Sequence, residues 1–215
     1  MSSREQILGR IRQALGRSGP PAQAVQDEAR AYMEGHATGP RPPADWDRLE
    51  RFMERAKAMA CTVERVGTLE QVPGAVARYL RDAGLPASAV VWPEVADWGW
   101  DAAGINVEPR RARGEDLVGI TGAFCGIAET GTLALLSGAG TPGSVSLVPE
   151  NHVAVVSAKR IVDSVEDALG LVRAERGGPP RALNLVSGPS RTADIEQTVT
   201  LGAHGPYRVH VIVVD

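Results

Sequence analysis

Apolar positions recur at helical spacing near the start of the chain. Ile7, Leu8, Ile11, Ala14 and Leu15 share one face of "SSREQILGRIRQALGR", with arginines on the others and Ser2 or Ser3 available as a cap. The pattern then lapses. Residues 18–44 are poor in apolar side chains and rich in Gly and Pro, ending "GPRPPAD", and read as a linker or a loosely draped arm. From Asp45 the pattern turns compact. "DWDRLERFMERAKAMA" (45–60) is an amphipathic helix with Asp45 as its cap, "CTVERV" a strand, and "TLEQVPGAVARYLRDAGL" a helix that tolerates Pro73 in its first turn. "SAVVWP" (88–93) and "GINVEP" (104–109) read as short strands. Beyond residue 150 come strand "HVAVVSA" (152–158), helix "SVEDALGLVRAE" (164–175), a buried strand "RALNLVS" (181–187) and a last strand "RVHVIVVD" (208–215). Strands alternating with helices predict one α/β domain over 45–215 with a largely buried, mostly parallel sheet, preceded by a helical appendage over 1–17 and a linker over 18–44.

Between these patterned halves lies a stretch without charge. Leu117 to Pro149 contains five leucines, seven glycines and one carboxylate, Glu129, in a chain that is 23% charged. Within it, Leu117–Gly138 holds five glycines, several threonines and Glu129 near its middle, and Pro142 follows, which argues against a membrane helix and for buried strands joined by tight turns.

Composition narrows the function. With 215 residues and 43% hydrophobic content the chain can bury one sizeable core, and a net charge of −3 predicts no general affinity for nucleic acid or anionic membrane. Two cysteines far apart in sequence, Cys61 and Cys125, form neither a CxxC motif nor a zinc ribbon, and are too few for a four-thiolate cluster. No targeting segment is evident, and a reduced, cytoplasmic setting is expected. The four histidines lack metal-ligand spacing, so no metal site is expected; His152 stands at a loop–strand edge where it could meet a ligand.

Three motifs carry candidate chemistry. "GAGTPG" (138–143) matches G-x-G-x-x-G, but Pro149 follows too soon for a crossover helix, so a plain loop is the expectation. "SGPSRTADIEQT" (187–198) follows a strand and is expected to open a short helix capped by Ser190 or Thr192. Arg191 there could clamp a carboxylate or phosphate, or pair with Asp194 or Glu196. Glu129 is the third. A carboxylate in apolar surroundings costs several kcal/mol unless paired, hydrogen-bonded or protonated. Thr130, Gly131 and Thr132 offer amides and hydroxyls beside it. Two roles suit it: a desolvated acid, base or nucleophile, or a group that caps a turn and satisfies buried amides.

"GITGAFCGIAETGTLALLS" (119–137) with "PENHVAVV" (149–156) resembles the signature region of the LUD domain family, and "SGPSRTADIEQTVTLGAHGPYRVHVIVVD" (187–215) is similar to its C-terminal signature. The resemblance extends over essentially the whole chain. It implies a three-layer α/β fold, similar to the NagB/RpiA/CoA transferase-like fold. It also implies a role beside two iron–sulfur partner proteins in oxidising L-lactate to pyruvate. The clusters would sit on those partners, with no cofactor in this chain. The site candidates come from the residues themselves: Glu129 as the catalytic candidate and Thr130, Gly131, Ser190, Arg191, Asp194 and His152 as ligand-binding candidates. Glu129, Arg191 and Asp194 are expected to line a cleft that binds a small carboxylate or forms a docking surface. "AETG" is also similar to the glutamate loop of class I CoA transferases, which leaves a stand-alone CoA-transferase-like or sugar-phosphate isomerase-like activity through Glu129 as the alternative.

Overall fold

The computed structural model describes residues 2–17, 19, 21–35, 39–41, 43–192 and 200–215. The chain divides into two units, Met1–Pro42 and Pro43–Asp215. In the first, α1 (Ser3–Ala14) is closed by a capping box in which Ser2 and Glu5 exchange hydrogen bonds, as its first residues lead one to expect. A second helix, α2 (Gln23–Gly35), occupies the middle of the segment expected to be a linker. The reason is local: Gly and Pro cluster on either side of Gln23–Glu34, and within it every residue tolerates a helix. Neither helix buries a residue.

The second unit opens with α3 (Arg48–Ala58). Its cap is Asp47, whose carboxylate accepts from Glu50 N–H at 2.9 Å, two residues later than expected from the sequence. Then follow β1 (Thr62–Val66), α4 (Val72–Asp82), β2 (Ser88–Val91), β3 (Asn106–Pro109), β4 (Val118–Gly122), β5 (Cys125–Ile127) and β6 (Thr132–Leu136). After these come α5 (Ser144–Leu147), β7 (Asn151–Ser157), β8 (Ile161–Val162), α6 (Val165–Arg176), β9 (Leu183–Val186), β10 (Arg191–Thr192), β11 (Thr200–Leu201) and β12 (Arg208–Val214). The main sheet runs β1-β12-β7-β4-β2-β3, and all its pairs are parallel. A smaller sheet, β8-β5-β6-β9, mixes parallel and antiparallel pairs, and β10-β11 is a two-stranded ladder. The expected α/β fold with a mostly parallel sheet is therefore present. The charge-poor stretch is spent on β4, β5, β6, the loop after β6 and α5; its three strands are almost wholly buried, while Thr130, Gly138, Ala139, Leu147 and Val148 are exposed.

Burial explains the composition of the central strands. β7 and β12 are covered on both faces, so they carry near-continuous Val, Ile and Ala rather than an alternating pattern. α3 buries Phe52 and Ala56 and packs on both β1 and β8, bridging the two sheets. α4 buries Val72, Ala75, Val76 and Leu80 and packs against β1 and β12. Among the described residues no helix is long and apolar enough to cross a membrane.

The carboxyl end of α3 is a Schellman turn: Cys61 N–H returns to Ala56 O at 3.0 Å and Ala60 N–H to Lys57 O at 2.9 Å. It requires a left-handed residue, and Ala60 fills that place at φ +66, where glycine would be unstrained. Ala60→Gly is expected to stabilise the protein by about 0.5–1 kcal/mol. A higher denaturation midpoint checks this, and an unchanged or lower one would refute it.

Candidate functional site

Glu129 lies in the β5–β6 turn. Ala128 and Glu129 donate their N–H groups to Val162 O and Asp163 O at 2.8 and 3.0 Å, and Gly131 N–H returns to Ile127 O at 2.9 Å. The turn rests on the carboxyl end of α3. Arg55 Nε donates to Glu129 O at 3.3 Å. Gly131, at φ +67, lies so close to Arg55 and Ala56 that a Cβ would overlap their backbone. Asp163 is itself held by Arg48 at 2.6 Å. The main chain of Glu129 is thus fixed on several sides. Its side chain is only half-buried, not enclosed in the apolar setting expected from the sequence. The carboxylate has no hydrogen-bond or ion-pair partner among the described residues.

Thr130, Thr132 and Ser187 form a chain of hydroxyls with both links at 2.7 Å, tying this turn to the segment after β9. That segment returns to the same helix end. Gly188, at φ +89, abuts Met59 O, and the exposed Arg191 donates to that carbonyl at 3.2 Å, a cation at the negative end of α3. Glu129, Thr130, Gly131 and Arg191 are therefore gathered around one helix terminus. Ser190 is engaged through its main chain, donating to Pro206 O and accepting from Gly202 N–H, both at 2.9 Å. Its place as a helix cap is corrected: Arg191–Thr192 is a strand, β10, laddered to β11, because its amides find partners there. Asp194 and Glu196 lie outside the described residues.

His152 does not join this group. It is the second residue of β7 with no exposed surface, and its Nε2 shares a hydrogen bond with Thr121 Oγ1 at 2.8 Å. Burial pushes its pKa down to about 4, so the ring is neutral near pH 7 and serves the core. His210, in β12, is lowered to about 4 for the same reason despite Glu64 nearby. Burial also drives both cysteine thiols up to about 11, with Arg191 and Arg160 opposing weakly at Cys61 and Cys125.

Elsewhere, a cavity of about 860 Å³ opens at the carboxyl ends of β2, β4, β7 and β12, neighbours in the main sheet. Trp92 and Glu94 follow β2, Phe124 follows β4, Arg160 follows β7, and the loop 137–141 after β6 closes one side with Arg176 beside it. The strand order reverses here: the chain passes from β2 outward to β3, then returns to β4 on the other side of β2. Open parallel sheets commonly bind ligands outside the carboxyl ends of their strands at such a reversal. Of the motifs named from the sequence, the "GAGTPG" loop lines this cavity through Gly138–Thr141; among the described residues, none of the candidate site residues Glu129, Thr130, Gly131, His152, Ser190 and Arg191 does.

The family model described as the LUD domain matches residues 98–214. The chain belongs to the LUD domain family. Among its relatives, "Lactate utilization protein C" of Bacillus licheniformis is 35% identical over 129 residues, covering 58% of this chain and 53% of that protein. The protein of the same name from an Exiguobacterium species is 32% identical over 149 residues, covering 68% and 64%. The chain thus spans about half to two thirds of the length of these curated relatives. A solved DUF162 family protein from Deinococcus radiodurans is 29% identical, with a TM-score of 0.61 over 79% of this chain and 99% of that one.

In this LUD chain the matched region holds the Glu129 turn, Arg191 and most of the cavity wall, but not Trp92 or Glu94. Reading the sequence alone misses the cavity, because seven separated stretches, from Leu69 to Val214, build it. One signal was available: three of the four tryptophans fall within residues 92–100, directly after a buried strand.

Proposed function

We propose that this chain is a component of an L-lactate utilisation system, working beside two iron–sulfur proteins that carry electrons from the oxidation of L-lactate to pyruvate. The observation that carries this reading is the series of relatives, 32% to 42% identical, named "Lactate utilization protein C". The number of cysteines supports placing the clusters on partner chains. The chain has only two, Cys61 and Cys125, too few for a four-thiolate cluster.

Within this reading the end of α3 is the working surface. Lactate oxidation breaks the O–H and C2–H bonds and releases two protons and two electrons. The electrons leave to the partners' clusters, the C2 proton to solvent, and the carboxylate of Glu129, half-open and unpartnered among the described residues, is the group to accept the hydroxyl proton. Arg191, exposed on the same helix end, supplies the cation for the substrate carboxylate. Lactate-dependent dye reduction by the full chain mixed with its two iron–sulfur partners tests both points. Glu129→Gln is expected to lower the rate by about 100-fold or more, the usual contribution of a general base. Its melting temperature should not change, since no partner is lost. Normal turnover by the variant would make Glu129 architecture. Full activity of the partners without this chain would overturn the proposed function itself.

A further inference from the structure

The cavity at the sheet's carboxyl edge is unused by that reading, and its size and lining do not suit a substrate as small as lactate. At about 860 Å³ it lies in the range of roughly 300–1,000 Å³ that drug- and cofactor-sized ligands occupy. Lactate would leave most of it to water.

The lining is differentiated. Trp98, half-buried and backed by the buried ring of Trp100 at a centroid distance of 6.1 Å, gives the cavity an aromatic wall. Trp92 adds a second, fixed by its Nε1–H to Pro142 O at 3.0 Å. The cations are unequal. Arg160 is consumed: it grips Glu175 through both terminal nitrogens and donates Nε–H to Phe124 O at 2.9 Å. Arg176, exposed at the rim and 6.0 Å from the Phe124 ring centroid, makes no hydrogen bond or close ion pair among the described residues, and its charge reaches the Glu175 carboxylate only through space. The loop Gly138–Thr141 closes on itself through two 3.4 Å bonds, which leaves the N–H groups of Ala139 and Gly140 with no acceptor among the described residues. Glu94, packed against this loop at Gly140, supplies an acceptor.

We propose that this cavity binds a nucleotide cofactor. The planar ring lies on Trp98, the ribose hydroxyls donate to Glu94, and the phosphate meets Arg176 and the free amides of the 138–141 loop. A stacking ring, a polyol and an anion are the parts that this lining matches, and a nucleotide joins all three in a molecule of this size. The glycine loop "GAGTPG" thus acts without the crossover helix of a dinucleotide fingerprint: it offers backbone amides and a close approach, not a helix terminus. The inference does not depend on the lactate reading, because it concerns binding by the isolated chain.

The test is calorimetric titration of the full chain with FMN, NAD⁺ and coenzyme A, with tryptophan fluorescence followed in parallel. At least one should bind one-to-one, in the micromolar range, and quench the tryptophans. Gly122→Leu is the blocking variant. Gly122 lines the cavity, and a Cβ there would make only ordinary contacts, the nearest Val95 at 3.7 Å and Trp92 at 3.9 Å, so the backbone admits a side chain whose further carbons take up cavity space. It should weaken the bound nucleotide by about tenfold or more. Arg176→Ala, at an exposed position, should weaken it by about tenfold as well, with an unchanged melting temperature. It also serves as the decisive variant if Gly122→Leu fails to fold. Failure of all three nucleotides to bind below about 1 mM, or binding indifferent to both substitutions, overturns the proposal.

Discussion

Gly131→Ala is expected to destabilise the protein by about 3 kcal/mol or more, the sum of a left-handed backbone that alanine resists and an overlap that cannot relax locally. The added methyl group would meet the main chain of Arg55 and Ala56, not a side chain that can swing aside. Either α3 moves off the hairpin or the hairpin moves off α3, and α3 carries Phe52 and Ala56 into the core between the two sheets. Gly104→Ala is the control. Gly104 has a similar φ of +73, but its Cβ would meet nothing within 4 Å, so only the torsional cost of about 1 kcal/mol applies. Denaturant unfolding of the two variants separates the terms, and equal losses would mean that α3 does not rest on the turn. The result also bears on "AETG" as a motif. Its glycine is required by packing whatever Glu129 does, so lost activity in Gly131→Ala says nothing about chemistry. Glu129→Gln is the informative change.

How much of this was legible beforehand depended on whether the cause was local. β7 and β12 stand out because strands covered on both faces need unbroken apolar runs, and Asn151–Ser157 and Arg208–Val214 supply them. The "GAGTPG" segment remains a loop for the reason readable from Pro149. Caps and breaks shift by a residue or two, as at Asp47, because either Asp45 or Asp47 could accept and only tertiary placement chooses. The division into two sheets was not legible. "RALNLVS" reads as a buried strand, yet β9 is a half-exposed edge of the smaller sheet, with Leu185 47% exposed. Nothing in its composition says which sheet it joins. The gathering of Glu129 and Arg191 on one helix end, and of Trp92, Phe124 and Arg176 on one cavity, depends on crossovers that no spacing rule encodes.

A loss of stability between about pH 6.5 and pH 4 is the second large effect expected, and two buried histidines cause it. Each ring ionises near 6.5 when unfolded, and burial lowers both to about 4 in the folded protein. Between those values the unfolded chain binds protons that the native protein refuses, so stability falls as pH falls through this window. At ~1.4 kcal/mol per pH unit, each ring can withdraw on the order of 3 kcal/mol once the pH nears 4. The local structure offers protonation no outlet. His152 has Thr121 on Nε2 and no partner for Nδ1 among the described residues. His210 shares a 2.8 Å bond with Thr62 and stacks on Tyr79 at 4.1 Å, and the Glu64 carboxylate 4.0 Å away is too weak a counter-charge to restore its ordinary pKa. Carboxylates act in another window: Asp116, held below its ordinary pKa first by its hydrogen bond from Arg110, contributes stability that is lost only at and below the usual carboxylate range. Denaturant unfolding from pH 7 to pH 4 should therefore show a slope that His210→Gln reduces and the double variant with His152→Gln nearly removes. Both variants will also lose some stability at pH 7 through packing, so the quantity to compare is the slope. A wild-type slope that survives in the double variant would mean that other groups, not these rings, make the protein acid-sensitive.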